Sequence, residues 1–89
     1  MPRTILPYRT TNTLSAMLNL RKAQLIKERE GYRVLIREVE EELALFCGIS
    51  REGIVAIKRG TNQPSLAVAM RICEYFNCEV ENIFSLNKN

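Results

Sequence analysis

Few residues in this chain could carry out acid–base, nucleophilic or metal chemistry. Histidine, the commonest general base and a common metal ligand, is missing. All ten acidic residues are glutamate, and the run at positions 38–42 is typical of a solvated helix start favoured by the helix dipole. A serine or cysteine nucleophile would lack a partnering base. We therefore expect no enzyme, no metal site and no cofactor.

The three cysteines, Cys47, Cys73 and Cys78, are spaced by 26 and 5 positions. An odd number at such spacing does not form a disulfide framework, which makes a reducing cytoplasm the expected location. A zinc site would need more ligands at closer spacing. We interpret all three as residues of the apolar core, with a redox switch between Cys73 and Cys78 as the alternative.

Composition indicates one small globular domain. The chain has 89 residues, of which 46% are hydrophobic and 26% charged. Its longest apolar stretches are about five residues, far short of the ~20 needed to span a bilayer. The start lacks the apolar segment of a secretory signal. These features favour a binding protein without a membrane partner, and they indicate no small-molecule ligand.

Hydrophobic spacing predicts an all-α fold of about five short helices, with an N-terminal extension. Residues 1–13 are predicted to form a flexible basic arm carrying Arg3 and Arg9, in which Ile5, Leu6 and Tyr8 could dock or pair as a short strand. Residues 14–86 are predicted to form a single helical domain, and residues 87–89 a tail. The helices are expected from Leu14 to near Gly31, from between Arg33 and Glu38 to Cys47, from Ser50 to Gly60, from Ser65 to Asn77, and over Val80–Phe84.

The segment 38–60 contains the informative motif. Two short helices flank a tight turn at Gly48, which can adopt a left-handed backbone, and small Ala44 permits close helix packing. Ile49, Ile54 and Ile57 supply the shared apolar seam. This pattern resembles the Cro/phage-repressor (XRE) family of helix-turn-helix transcriptional regulators, and the resemblance continues through residue 86.

The resemblance implies a sequence-specific regulator, most simply a repressor, that reads a pseudo-palindromic operator in double-stranded DNA as a homodimer. Helix geometry places one face of the third helix opposite its buried isoleucines. In proteins of this family, that outward face enters the major groove. The expected base contacts are Arg51, Glu52, Val55 and Ala56. The expected phosphate contacts are Ser50, Arg59, Thr61, Asn62 and Gln63. Such a protein would be cytoplasmic, and associated with the nucleoid when bound.

Two positions depart from the family pattern. Glu40 stands where members carry a glutamine that touches the DNA backbone, and a carboxylate there would repel phosphate. Lys58 replaces a glutamate that usually pairs with an arginine of the first helix; Lys27 at the likely partner position would repel it, so the pair is lost or rebuilt with Glu28 or Glu30. The first motif helix is either lengthened, which we favour, or Arg33 takes the arginine's role.

These departures support an alternative function, a protein-binding module such as an antitoxin-like or adaptor protein that uses the helix-turn-helix as a scaffold. For the dimer contact, the candidates are Ile83, Phe84 and Leu86 near the C-terminus and Leu14 and Leu18 of the first helix. The net charge of +3 is uneven, because residues 1–37 hold eight basic and two acidic residues. This excess of positive charge raises the question of whether the basic extension also lies along the DNA.

Overall fold

A computed structural model describes residues 8–88 as a strand, five helices and a second strand. The elements are β1 Tyr8–Asn12, α1 Leu14–Glu28, α2 Ile36–Cys47, α3 Arg51–Arg59, α4 Leu66–Phe76, α5 Val80–Ile83 and β2 Phe84–Lys88. The strands pair antiparallel, with Tyr8 opposite Lys88 and Asn12 opposite Phe84. The predominantly helical architecture confirms the predicted fold class, and a small sheet is added to it.

The sheet corrects the predicted ends of the domain. The predicted flexible arm includes residues 8–12, with a short strand at Tyr8 as the alternative. These residues form a strand that pairs with β2, which also includes Asn87 and Lys88 of the predicted tail. Pairing satisfies the backbone amides and carbonyls of both segments. It continues into the body of the protein through the Thr13 amide, which donates to the Ile83 carbonyl at 2.9 Å. Residues 1–7 of the predicted arm, including Arg3, lie outside the described residues.

Helix α1 belongs to the same core as the motif helices. Leu14, Leu18 and Leu25 recur at spacings of four and seven, so they share one face, and all three are buried. They share one cluster with residues from every other helix, from the segment before α2 and from β2, namely Val34, Val39, Leu43, Ala44, Ile54, Ile57, Ala69, Ile72, Cys73, Ile83 and Phe84. The N-terminal extension is therefore an integral part of the domain.

This core removes four of the five dimer candidates. Leu14 and Leu18 are 0% exposed, Ile83 is 1% exposed and Phe84 is 8% exposed. Each is packed inside its own protomer, in the cluster that the five helices and β2 share, so none of them is available to a second chain. Leu86 on β2 remains accessible, at 68% exposure.

The first motif helix, α2, begins and ends within the predicted limits. The Glu38 carboxylate accepts the Leu35 amide at 3.1 Å, which satisfies one of the free donors at the helix start. At the other end Gly48 takes a left-handed conformation with φ of 73°. The helix starts four residues before Glu40, which agrees with the lengthened helix, and Arg33 is an exposed residue ahead of it.

The cysteines pack against the core, as predicted. Cys73 is buried on α4, while Cys47 and Cys78 are partly buried against the same cluster. Burial and the neighbouring Cys78 thiol raise the pKa of Cys73 to about 11. Burial also raises the pKa of Cys47. All three are free thiols.

We expect Cys73 to react most slowly of the three cysteines with an aromatic disulfide reagent at pH 8. Only the thiolate attacks, and a pKa of about 11 leaves about one Cys73 side chain in a thousand ionised. Time-resolved release of the coloured thiol measures the phases. Cys73→Ala should remove the slowest phase, whereas loss of the fastest phase in that variant would contradict the assignment.

Candidate nucleic-acid interface

Helix α3 is held by a side-chain cap at its start and a glycine at its end. The Ser50 Oγ accepts the Gly53 amide at 3.1 Å, and Gly60 adopts a φ of 78° that favours glycine. A glycine at position 53 avoids a close contact, because a Cβ there would lie 3.3 Å from the Ile49 Cδ1 atom. A larger residue at this position would therefore require the Ile49 side chain in the turn to shift by a few tenths of an ångström.

The two faces of α3 divide as the sequence predicts. Ile54 and Ile57 are buried against the core, at 0% and 3% exposure. The opposite face, together with the loop that follows, borders a shallow depression of about 420 Å³, lined by Arg51, Glu52, Val55, Ala56, Arg59 and Thr61. All four predicted base-contacting residues are thus brought to one surface, with two of the predicted phosphate contacts beside them.

This surface offers complementary groups for the edges of base pairs. Arg51 and Arg59 place cations near the two ends of the helix, and Glu52 adds one exposed carboxylate acceptor. Between them Val55 and Ala56 are small, partly exposed apolar side chains. Arginine suits guanine, a carboxylate suits the cytosine amine, and an apolar group suits the thymine methyl.

The remaining predicted phosphate contacts lie at the borders of α3. Ser50 is exposed, and its hydroxyl already accepts a backbone amide. The Thr61 hydroxyl donates to the Ala56 carbonyl at 3.1 Å. The backbone amide of Asn62, an exposed residue, donates to the same carbonyl. The Gln63 side chain is bound to Thr10 of β1, donating to its carbonyl and accepting from its amide and hydroxyl.

The sequence does not indicate that β1 supports this loop. In addition to the Thr10–Gln63 contact, the Asn12 side-chain amide donates to the Ile57 carbonyl at 2.8 Å, near the end of α3. Thr10, Thr11 and Asn12 border a cleft of about 200 Å³ whose other wall is formed by Lys58, Arg59 and Gly60. The strand therefore fixes the C-terminal end of α3. No pattern in the sequence of β1 predicts this role.

Glu40 occupies a different environment from the one expected. Its side chain is only 2% exposed, and it bridges α2 to α3. The Arg51 Nε donates to Oε1 at 3.2 Å, and the Lys58 Nζ donates to Oε2 at 2.5 Å. The carboxylate is therefore shielded and neutralised, and the expectation that it repels phosphate is wrong. The ion pair of Lys58 is rebuilt with Glu40, and the predicted partners Glu28 and Glu30 are not used.

Two further arginines connect α2 to α1 and α4. The Arg21 Nε donates to the Tyr75 hydroxyl at 3.2 Å, and both side chains bond to Glu42. Burial and the hydrogen bond to Glu42 raise the pKa of Tyr75 to about 12, while the Tyr75 hydrogen bond raises the pKa of Arg21. Arg71 donates to the Phe46 carbonyl at 2.9 Å with its guanidinium 3.9 Å from the Phe46 ring centre.

Within residues 8–88, no group of three or more cysteine or acidic side chains is arranged to hold a metal ion. The helices in that range are also too short or too polar to span a membrane.

Comparison with known proteins places the motif in a family. The helix-turn-helix family matches residues 40–83, which begin in α2 and end with α5. A relative from Methanocaldococcus jannaschii is 42% identical over 53 residues, covering 60% of this chain and 80% of the relative. One from Archaeoglobus fulgidus is 40% identical over 53 residues, covering 60% and 75%.

A third relative, YgzD from Bacillus subtilis, is 31% identical over 67 residues, which are 75% of this chain and 92% of the relative. All three are described as uncharacterized HTH-type transcriptional regulators. No solved structure matches the chain. The residues matched by the family contain most of α2, the turn after it, and helices α3, α4 and α5, and the chain belongs to the helix-turn-helix family of transcriptional regulators.

Proposed function

We propose that this protein is a sequence-specific repressor that inserts α3 into the major groove of its operator. Arg51 would donate to a guanine, Glu52 would accept from a cytosine amine, and Val55 or Ala56 would meet a thymine methyl group. The observation that carries the proposal is the depression on α3, because the residues lining it are the outward side chains of one helix and differ in the base that each prefers.

Phosphate contacts would come from both ends of α3. Arg59 is exposed at the helix end, and Ser50 precedes its first turn. Thr61 and Asn62 would add contacts from the loop, and Gln63 would contribute its backbone amide while its side chain holds Thr10. Contacts of this kind set the affinity and the orientation on the duplex, and the base contacts set the sequence.

A homodimer would give this short helix enough specificity. Nine helical residues extend about 13 Å, which corresponds to roughly four base pairs. Two copies related by a two-fold axis would read two half-sites about one helical turn apart, and the operator would be pseudo-palindromic. Leu86 is the exposed member of the predicted dimer candidates. Bound at a promoter in the cytoplasm, such a dimer would repress transcription by occupying the DNA.

The buried position of Glu40 bears on the alternative of a protein-binding scaffold. The scaffold alternative is supported by a carboxylate at the position of a DNA-contacting glutamine and by the loss of the ion pair at Lys58. Glu40 is instead enclosed between two cations, and Lys58 is paired with it. Both observations favour DNA binding over the scaffold function.

We expect the affinity for duplex DNA to fall steeply with salt. If at least four phosphates are contacted, the logarithm of the binding constant should fall with a slope of about −3.6 against the logarithm of salt concentration. Fluorescence anisotropy of a labelled duplex from the DNA flanking the gene, measured from about 50 to 300 mM potassium chloride, gives this slope. Footprinting on the same DNA reads the half-site spacing.

The control for the salt experiment is Arg59→Ala, which should make the slope about one unit shallower by removing one phosphate contact. A flat salt response in the unmodified protein, or the absence of any complex at low salt, would reject DNA binding. The scaffold function would then become the better account.

A further inference from the structure

The contact between α2 and α3 is built around one buried charge. Glu40 is the only polar or charged residue among the buried side chains of residues 10–87, and an unpaired carboxylate in that place would be strongly unfavourable. Both of its oxygens are therefore used, one by Arg51 and the other by Lys58. Removing either cation would leave the carboxylate incompletely compensated.

The two cations lie on the same side of α3. Arg51 and Lys58 are seven residues apart, which is close to two full helical turns, so their side chains project in similar directions. A single carboxylate from α2 can therefore bond to both. The clamp they form fixes α3 against α2 at two points, one in its first turn and one in its last.

The atoms used in the clamp determine what Arg51 has left to offer. Its Nε makes the bond to Glu40, and within residues 8–88 its two terminal nitrogens have no hydrogen-bond acceptor. Those nitrogens carry four of the five donors of a guanidinium group, in a planar fork that matches the two acceptors of guanine. The side chain is 31% exposed and borders the depression on α3. The bond to Glu40 thus leaves the fork accessible while it restricts the rotation of the group.

We propose that Glu40 is a positioning residue that sets base specificity through Arg51. It holds the guanidinium by Nε so that the two terminal nitrogens meet one guanine end-on, and Lys58 holds Glu40 in turn. The inference rests on the proposed DNA-binding function and adds a residue that does not itself touch DNA. Glu40 and Lys58, the two departures from the family pattern, then act together to position Arg51.

The test uses Glu40→Gln, which keeps the size of the side chain but removes its charge. Operators are first selected from a random DNA pool with the unmodified protein, and affinity is then measured for the best site and for sites changed at each base pair. We expect Glu40→Gln to lower discrimination at the guanine read by Arg51 about fivefold, because directly contacting residues are energetically coupled. Discrimination at the other positions should stay the same.

Glu41→Gln is the matched control, since Glu41 is exposed on the same helix and pairs with Arg37 instead of α3. It removes the same charge and should leave discrimination at every position unchanged. In an Arg51→Ala background, Glu40→Gln should have no further effect on discrimination at that guanine. If Glu40→Gln prevents folding, Glu40→Asp keeps the charge and shortens its reach, and the same loss of discrimination is expected.

The free protein gives an independent readout. The Arg51 Nε–H should show slow solvent exchange and restricted motion by NMR, and Glu40→Gln should increase both the exchange rate and the motion. An Arg51 Nε–H that is as mobile in the unmodified protein as in Glu40→Gln would overturn the inference.

The possible failures are distinguishable. If the unmodified protein selects no DNA sequence, the proposed function fails and the inference with it. If the protein selects an operator but Glu40→Gln discriminates equally well, or weakens all sequences by the same factor, the inference alone is overturned and the proposed function stands.

Discussion

Substitution of Leu18 by alanine is expected to lower the free energy of unfolding by about 2–5 kcal/mol. Leu18 is 0% exposed on α1, and its loss would leave a cavity between α1 and the motif helices. Urea denaturation followed by the circular dichroism signal of the helices measures the change. Because the side chain is buried within one protomer, the effect should be independent of protein concentration.

Leu20→Ala is the matched control on the same helix. Leu20 is 61% exposed, so the same substitution should change the free energy of unfolding by no more than about 0.5 kcal/mol. A different effect of Leu18→Ala on stability and self-association would support Leu18 as a dimer contact. In that case Leu18→Ala would leave the dilute protein as stable as before and would weaken only its self-association.

Substitution of Arg51 by alanine is expected to remove discrimination at one base pair, at a cost of about 1–3 kcal/mol, or roughly 5- to 150-fold in affinity for the best site. Affinity for sites already changed at that base pair should fall much less. Competition binding against operators varied one position at a time measures the effect. The reason is geometric, since only the fork of Arg51 can donate two bonds to one guanine from this place on α3.

Two variants separate base reading from general attraction to DNA. Arg51→Lys keeps a positive charge beside Glu40 but loses the fork, so it should discriminate poorly while remaining folded. Arg59→Ala should weaken binding to all sequences about equally, because its expected contact is to phosphate. If Arg51→Ala also weakens all sequences equally, Arg51 contacts phosphate and the base assignment is wrong.

Local patterns account for the parts of the fold that could be predicted. The left-handed glycines 48 and 60, the Ser50 cap and the spacing of Ile54 and Ile57 all act within one or two helical turns. They determine where α2 and α3 end and which face of α3 is buried. The outward residues of α3 follow directly from that periodicity, and for this reason the predicted base contacts fall on one surface.

The incorrect predictions all depend on contacts between residues distant in the chain. The strand β1 forms because Thr10 lies opposite Leu86, 76 residues later, and residues 8–12 alone have no pattern that requires a strand. Glu40 belongs to a run of glutamates that is typical of a surface helix. It is nevertheless buried against two cations of the next helix, which lie 11 and 18 residues away in the chain. Leu14 and Leu18 were placed at a dimer contact because the face that covers them comes from other helices.

The antiparallel pairing of β1 with β2 also makes the described chain almost a closed ring. Because Tyr8 lies opposite Lys88, the backbone at residue 88 lies within about 5 Å of the backbone at residue 8. Proteins with neighbouring ends tolerate having those ends joined and new ones opened at an exposed connection. The segment between α1 and α2 is such a connection, since residues 29–33 are exposed. A circular permutant opened there would keep α2, the turn and α3 continuous, and it would place both new ends outside the motif.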